Sequence, residues 1–123
     1  MRRATSPTAA MLALASILLS TTPALAAYGA IAWDHDTGKR GWSWNEATAQ
    51  KAAEVARSEC GASGCKIVVR PTTGCAALAT TADGKFIGAA ARKTKDEARL
   101  AALANCQKGK AGDCIVRVSD CNK

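Results

Sequence analysis

Histidine, tyrosine and phenylalanine each occur only once among the 123 residues of this chain. A single histidine, His35, excludes ribonuclease chemistry that needs two histidines, and it excludes a multi-histidine metal site. The sequence also has no Gly-rich phosphate loop, no serine in a nucleophile elbow and no C-x-x-C pair of the kind that binds zinc. Because these absences remove the common catalytic classes, the sequence predicts a protein that is not an enzyme and has no cofactor.

Long apolar runs are also missing. The uncharged run from Ala9 to Leu19 is far shorter than the span of about 20 residues that a transmembrane helix needs. It follows Arg2 and Arg3 and precedes Ala24-Leu25-Ala26, which has the small-x-small pattern of a signal-peptidase site. We therefore expect residues 1–26 to be a cleaved signal peptide. Residues 27–123 should form one domain, secreted or periplasmic and without a membrane anchor.

Two segments carry the same order of local signals, which indicates an internal duplication. Residues 28–70 and residues 75–121 each contain two strand-like stretches joined by a turn, a helical stretch that ends at a cysteine, and a third strand. Thr48 and Thr94 are matched N-cap candidates at the starts of the two helices. The sequence therefore predicts an α+β fold of two tandem ββαβ repeats, with antiparallel sheet packed on two helices.

Six cysteines in an exported chain predict three disulfides, and the duplication narrows the possible pairings. In an alignment of the two repeats, Cys60 is equivalent to Cys106 at the end of the helix. Cys65 is equivalent to Cys114 before the strand that follows. The simplest connectivity is Cys60–Cys65, Cys106–Cys114 and Cys75–Cys121. In the chain-entropy model the two short rings contribute roughly 2–2.5 kcal/mol each and the long ring about 4 kcal/mol.

Four stretches carry a resemblance to a known family. They are YGAIA from Tyr28, GWSW from Gly41, CGASGCKIVV from Cys60 and CAALA from Cys75. In this pattern the chain resembles a bacterial family known only as domain of unknown function 4189, over Tyr28 to Cys121. The resemblance implies a small exported protein and no catalytic residue. The chain departs from the expected pattern at Phe86-Ile87-Gly88, where a second tryptophan-rich strand would be expected.

The tryptophans and the tyrosine are concentrated in the first predicted hairpin. They are Tyr28, Trp33, Trp42 and Trp44. Trp42 and Trp44 share one face of their strand, since side chains alternate with a period of two. Either the rings fill the core beneath the first helix, or they form an exposed platform for a glycan, a peptide or a partner protein. The second repeat offers only Gly88, Ala89 and Ala90 in the corresponding strand, which favours a functional role.

Acidic residues offer weaker candidates. Asp34 and Asp36 flank His35 and have part of a calcium-loop spacing, although aspartate is also common in turns. Glu46, Glu54 and Glu59 lie near or along the first helix. Glu54 and Glu59 are about 140° apart around that helix, so we expect solvated surface and not a glycosidase pair.

Basic residues gather around the second helix. They are Arg92, Lys93, Lys95, Arg99, Lys108 and Lys110. Asp96 and Glu97 interrupt the group and the aromatic residues lie in the other repeat, so the pattern does not favour nucleic acid. A solvated face is expected, with an acidic protein or an envelope polyanion as the alternatives.

Together these observations predict an exported, disulfide-braced, non-enzymatic binding or inhibitor-type protein. Its partner would be a protein or a cell-envelope glycan, bound through the tryptophan hairpin. Two alternatives stay open: a small cell-envelope hydrolase whose carboxylates converge only in the fold, and a structural envelope protein without a specific ligand.

Overall fold

The computed structural model describes residues 26–109 and 113–123. The predicted signal peptide lies outside the described residues except for Ala26, and Lys110 of the basic group lies outside them as well. Within the described ranges, no helix has both the length and the apolar character that crossing a membrane requires.

The chain forms two successive ββαβ units, which confirms the predicted layout. The first unit consists of β1 (Tyr28–Trp33), β2 (Arg40–Glu46), α1 (Ala49–Cys60) and β3 (Lys66–Thr72). The second consists of β4 (Cys75–Thr80), β5 (Ile87–Arg92), α2 (Lys95–Gly109) and β6 (Ile115–Cys121).

Most element boundaries agree with the sequence pattern, and the N-caps are confirmed. The Thr48 hydroxyl accepts a hydrogen bond from the Lys51 amide at 3.1 Å, and the Thr94 hydroxyl accepts one from the Glu97 amide at 3.2 Å. β5 begins one residue later than the sequence suggests, because the carbonyl of Phe86 closes the preceding turn by accepting from the Thr81 amide.

Each unit builds its own antiparallel three-stranded sheet with the first strand in the middle. The strand orders are β2-β1-β3 and β5-β4-β6. Both faces of each middle strand are covered, one by a helix and the other by the other sheet, so nearly all of its residues are apolar. All six residues of β4 are buried, as are the last five of β1.

Helices cover the outer faces of the two sheets. Ala30 and Ala32 of β1 pack under α1, and Ala77 and Ala79 of β4 pack under α2. The helix residues in these two clusters are Ala52, Ala56 and Cys60 in α1 and Ala98, Ala102 and Cys106 in α2. These small side chains bring helix and sheet close together.

The alternate residues of the middle strands fill the space between the two sheets. Ile31 of β1 meets Ala76 and Leu78 of β4 there, together with Val69 and Val118. The order of layers is therefore α1, first sheet, second sheet, α2. This face-to-face packing of the two units was not readable from the sequence.

All three predicted disulfides are present. Cys60–Cys65 and Cys106–Cys114 close the helix-to-strand loops, and Cys75–Cys121 joins two directly paired residues of β4 and β6. Every cysteine of the chain is thereby used.

Candidate functional site

The four aromatic residues of the first hairpin lie in different environments. Tyr28 is half-buried against the cluster beneath α1. Trp33 is only 9% exposed, Trp44 packs against the cluster between the sheets, and Trp42 is 43% exposed. The fold therefore does not bring these rings together into one platform, and Trp42 is the tryptophan most open to solvent.

The face of β2 that meets α1 is made by Gly41 and Ser43. A Cβ on Gly41 would lie 2.1 Å from the Cys60 amide nitrogen. The Ser43 hydroxyl accepts from the Ala30 amide at 3.1 Å and donates to the Ala52 carbonyl at 2.7 Å. Because side chains alternate along a strand, Trp42 and Trp44 face away from the helix. The interpretation that these two rings fill the core beneath the first helix is therefore wrong.

Trp44 is a packing residue between the sheets. A Cβ on Gly29 of β1 would lie 2.5 Å from Cε3 of Trp44, so the ring occupies space that a side chain at position 29 would need. The second unit has Ala76 and Ala91 at the equivalent positions. A glycine and a tryptophan in one unit thus replace two alanines in the other.

Trp42 borders a shallow depression at the outer strand of the first sheet. Arg40, Gly41 and Glu59 line it together with the indole ring, and its volume is about 120 Å³. Ile31 is the cross-strand partner of Trp42 on β1. The equivalent residue in the second unit is Ala89, because Gly88 meets the backbone of α2 just as Gly41 meets that of α1.

A separate and larger cleft of about 470 Å³ lies beside the first hairpin turn. Its lining residues are Trp33, Asp34, His35, Asp36, Gly64 and Lys66. The His35 ring stands edge-on to the Trp33 ring with a centroid distance of 5.5 Å. Trp33 Nε1 is buried and has no hydrogen-bond partner in the part of the chain that the structure describes.

Asp34 organises the turn that forms this cleft. Its carboxylate accepts from the Asp36 amide at 3.2 Å and from the Thr37 hydroxyl at 2.6 Å. The Thr37 hydroxyl is the main reason that the pKa of Asp34 lies below its ordinary value. The interpretation of Asp34 as a turn residue is confirmed by these bonds. Among residues 26–109 and 113–123, no three His, Cys, Asp or Glu side chains come together as a metal site would require.

The carboxylates considered for hydrolysis occupy different places. Glu59 borders the Trp42 depression, whereas Asp34 and Asp36 line the cleft at the turn. A general acid needs a pKa raised toward the working pH, and the pKa of Asp34 is lowered. These positions therefore give the hydrolase alternative no specific support.

Sequence inspection missed Leu100 on α2, which is 68% exposed. It lines a groove of about 300 Å³ with Asp96, Arg99 and Leu103. When Cys60 is aligned with Cys106, Glu54 of α1 is equivalent to Leu100 of α2. A position-by-position comparison of the two repeats therefore identifies Leu100 as unusual.

The fold and the cysteine pairing define a small α+β domain of two disulfide-braced ββαβ units. A family model described as Domain of unknown function (DUF4189) matches residues 28–121, and the chain belongs to this family. No curated protein and no solved structure gives a significant match to it.

Proposed function

We propose that this protein is an exported, non-enzymatic binding protein and that Trp42 is its main contact residue. Three disulfides fit an oxidising compartment outside the cytoplasm. Export places the binding event in the periplasm or outside the cell.

The exposure of Trp42 carries this proposal. A large ring that is 43% exposed contributes less to the core than a buried one, and the equivalent position in the second unit is occupied by alanine. The ββαβ unit therefore does not require a ring at this place. Tryptophan and arginine are also the residues that most often dominate binding energy at protein interfaces, and Arg40 lies beside Trp42.

The position of Trp42 favours an extended protein segment as the partner. β2 is an outer strand of its sheet, paired only with β1 among the described strands. Such a strand has backbone N–H and C=O groups on its free side, which can hydrogen-bond to an added strand. In that arrangement the depression at Trp42, flanked by Arg40 and Glu59, would receive a side chain of the partner.

Trp42→Ala tests the proposal through tryptophan fluorescence. We expect the substitution to remove most of the quencher-accessible emission and to lower the free energy of unfolding by only about 1–2 kcal/mol. An envelope protein fraction that contains the partner should protect the wild-type emission from quenching and should bind the variant at least tenfold more weakly, the size expected of an interface hot spot.

Phe86→Ala is the matched control, because Phe86 has the same 43% exposure and lies in the other unit. This variant should bind like the wild type. Protection by soluble peptidoglycan fragments instead would make the partner a glycan. Equal binding by wild type and Trp42→Ala would refute the role of Trp42.

A further inference from the structure

We infer that the outer side of α2 is a docking surface for an anionic lipid bilayer. The face of α2 that packs on the second sheet is formed by Ala98, Ala102 and Cys106, with Ala101 and Leu103 partly buried against them. Leu100 is two residues from Ala98 and from Ala102 and therefore points away from the sheet, at 68% exposure. Leu103 lies beside it in the same groove.

The fold does not require a leucine at position 100 on the outside of this helix. α1 occupies the same place in the first unit, and Glu54 and Arg57 stand where α2 has Leu100 and Leu103. Both α1 side chains are exposed, as a helix that faces water requires. The difference between two otherwise matching helices leaves Leu100 exposed on the outer side of α2, with Leu103 partly buried beside it.

Charge separates the two helices in the same way. The cations along residues 92–108 are Arg92, Lys93, Lys95, Arg99 and Lys108, whereas Asp96 and Glu97 are the anions. Those two carboxylates occupy the first turn of α2, where they stabilise the positive end of the helix dipole. Residues 46–62 around α1 carry Glu46, Glu54 and Glu59 against Lys51 and Arg57. α2 and its flanking residues are thus basic, with Lys95 paired to Asp120 of β6 at 3.8 Å, whereas α1 is slightly acidic.

An exposed leucine among cations can bind at a membrane interface, where the leucine enters the apolar layer and the cations meet anionic headgroups. Arg99 lines the same groove as Leu100, so a phosphate group and an acyl chain would be met side by side. A soluble polyanion would use the cations and leave Leu100 in water. A second copy docked symmetrically through α2 would bring the cations of the two helices together. An anionic bilayer surface satisfies both features.

The test is co-sedimentation of the purified, oxidised protein with vesicles of phosphatidylglycerol and phosphatidylethanolamine, compared with vesicles of phosphatidylcholine alone. We expect partitioning into the anionic vesicles only, weakened by salt. Leu100→Ser should reduce this partitioning about tenfold. The double variant Lys93→Gln/Arg99→Gln should reduce it more than tenfold, since each cation near an anionic surface contributes on the order of 1 kcal/mol.

The matched control is Lys51→Gln/Arg57→Gln, which removes two cations from α1 and should partition like the wild type. Trp42→Ala should also partition like the wild type, which separates this surface from the proposed partner site on β2. The inference is overturned if the wild type stays in the supernatant or if Leu100→Ser partitions like the wild type. It is also overturned if the α1 control loses as much partitioning into anionic vesicles as the α2 double variant.

Discussion

At the scale of single residues, two aspartates hold the hairpin turns. Asp34 accepts from the Thr37 hydroxyl at 2.6 Å, and Asp83 accepts from the Thr81 hydroxyl at 2.6 Å. In both cases the hydroxyl is the main cause of a pKa below the ordinary value of 3.8. A carboxylate with a depressed folded-state pKa stabilises the fold above its unfolded pKa and loses that contribution as the pH falls through the folded value.

Asp34→Asn should therefore flatten the decline of stability below about pH 4. The measurement is the midpoint of thermal unfolding at a series of acidic pH values. Thr37→Ala should also make the decline of stability shallower, because it removes the hydroxyl that donates to Asp34. Thr37→Ser keeps a hydroxyl and should have the wild-type slope. Curves for Asp34→Asn and wild type that stay parallel throughout would show that the Thr37 hydroxyl does not stabilise the ionised carboxylate.

At the scale of elements, each helix lies directly on the backbone of the second strand of its unit. A Cβ on Gly41 would lie 2.1 Å from the Cys60 nitrogen, and a Cβ on Gly88 would lie 2.1 Å from the Ala102 carbonyl oxygen. The obstructing atoms belong to the backbone and cannot rotate away. These two glycines therefore set the distance between helix and sheet, which in turn directs Trp42 to the other face.

Gly41→Ala should lower the free energy of unfolding by about 3 kcal/mol, at the upper end of the range for overpacking. Denaturant unfolding of the oxidised protein measures this loss. Gly38→Ala is the control: Gly38 has a φ of 71° but no atom within 4 Å of an added Cβ. Its cost of about 1 kcal/mol reflects backbone conformation alone. Equal losses in the two variants would contradict the close approach of α1.

At the scale of the whole molecule, hydrogen bonds of the Asn122 side chain and the long disulfide join distant parts of the chain. The Asn122 side chain accepts from the Asn45 amide and donates to the carbonyls of Thr72 and Gly74, all at 2.9 Å. These bonds fasten the end of β2 and the connection between the units to the last residues of the chain. Cys75–Cys121 closes a ring with a sequence separation of 46 within the second unit.

Replacing Cys75 and Cys121 by alanine should lower the free energy of unfolding by about 4 kcal/mol, because the unfolded chain regains the freedom of the long ring. Replacing Cys60 and Cys65, whose separation is 5, should lower it by about 2 kcal/mol. Denaturant titrations of the two double variants measure the difference. A larger loss from opening the short ring would show that local packing outweighs chain entropy here.

Local signals account for what could be predicted about the fold. Thr48 and Thr94 mark the helix starts, and Gly61, with a φ of 72°, ends α1. The repeated order of these signals paired four cysteines across the two short helix-to-strand loops, and Cys75–Cys121 followed as the remaining pair. A role of the tryptophan hairpin in binding stays a prediction. The different environments of Trp33, Trp42 and Trp44 could not be predicted, because the alternation of side chains along a strand does not say which elements cover each face.

The sequence by itself determined the elements and their order in each repeat, since these depend on residues close along the chain, and the duplication of that order determined the disulfide partners. Only the tertiary structure decided which face of β2 meets α1, how the two sheets pack and why Leu100 is left on the outside. A period of two shows which side chains share a face. Which face is covered depends on elements that approach from elsewhere, and here the backbone of α1 reaches β2 at Gly41 and Ser43.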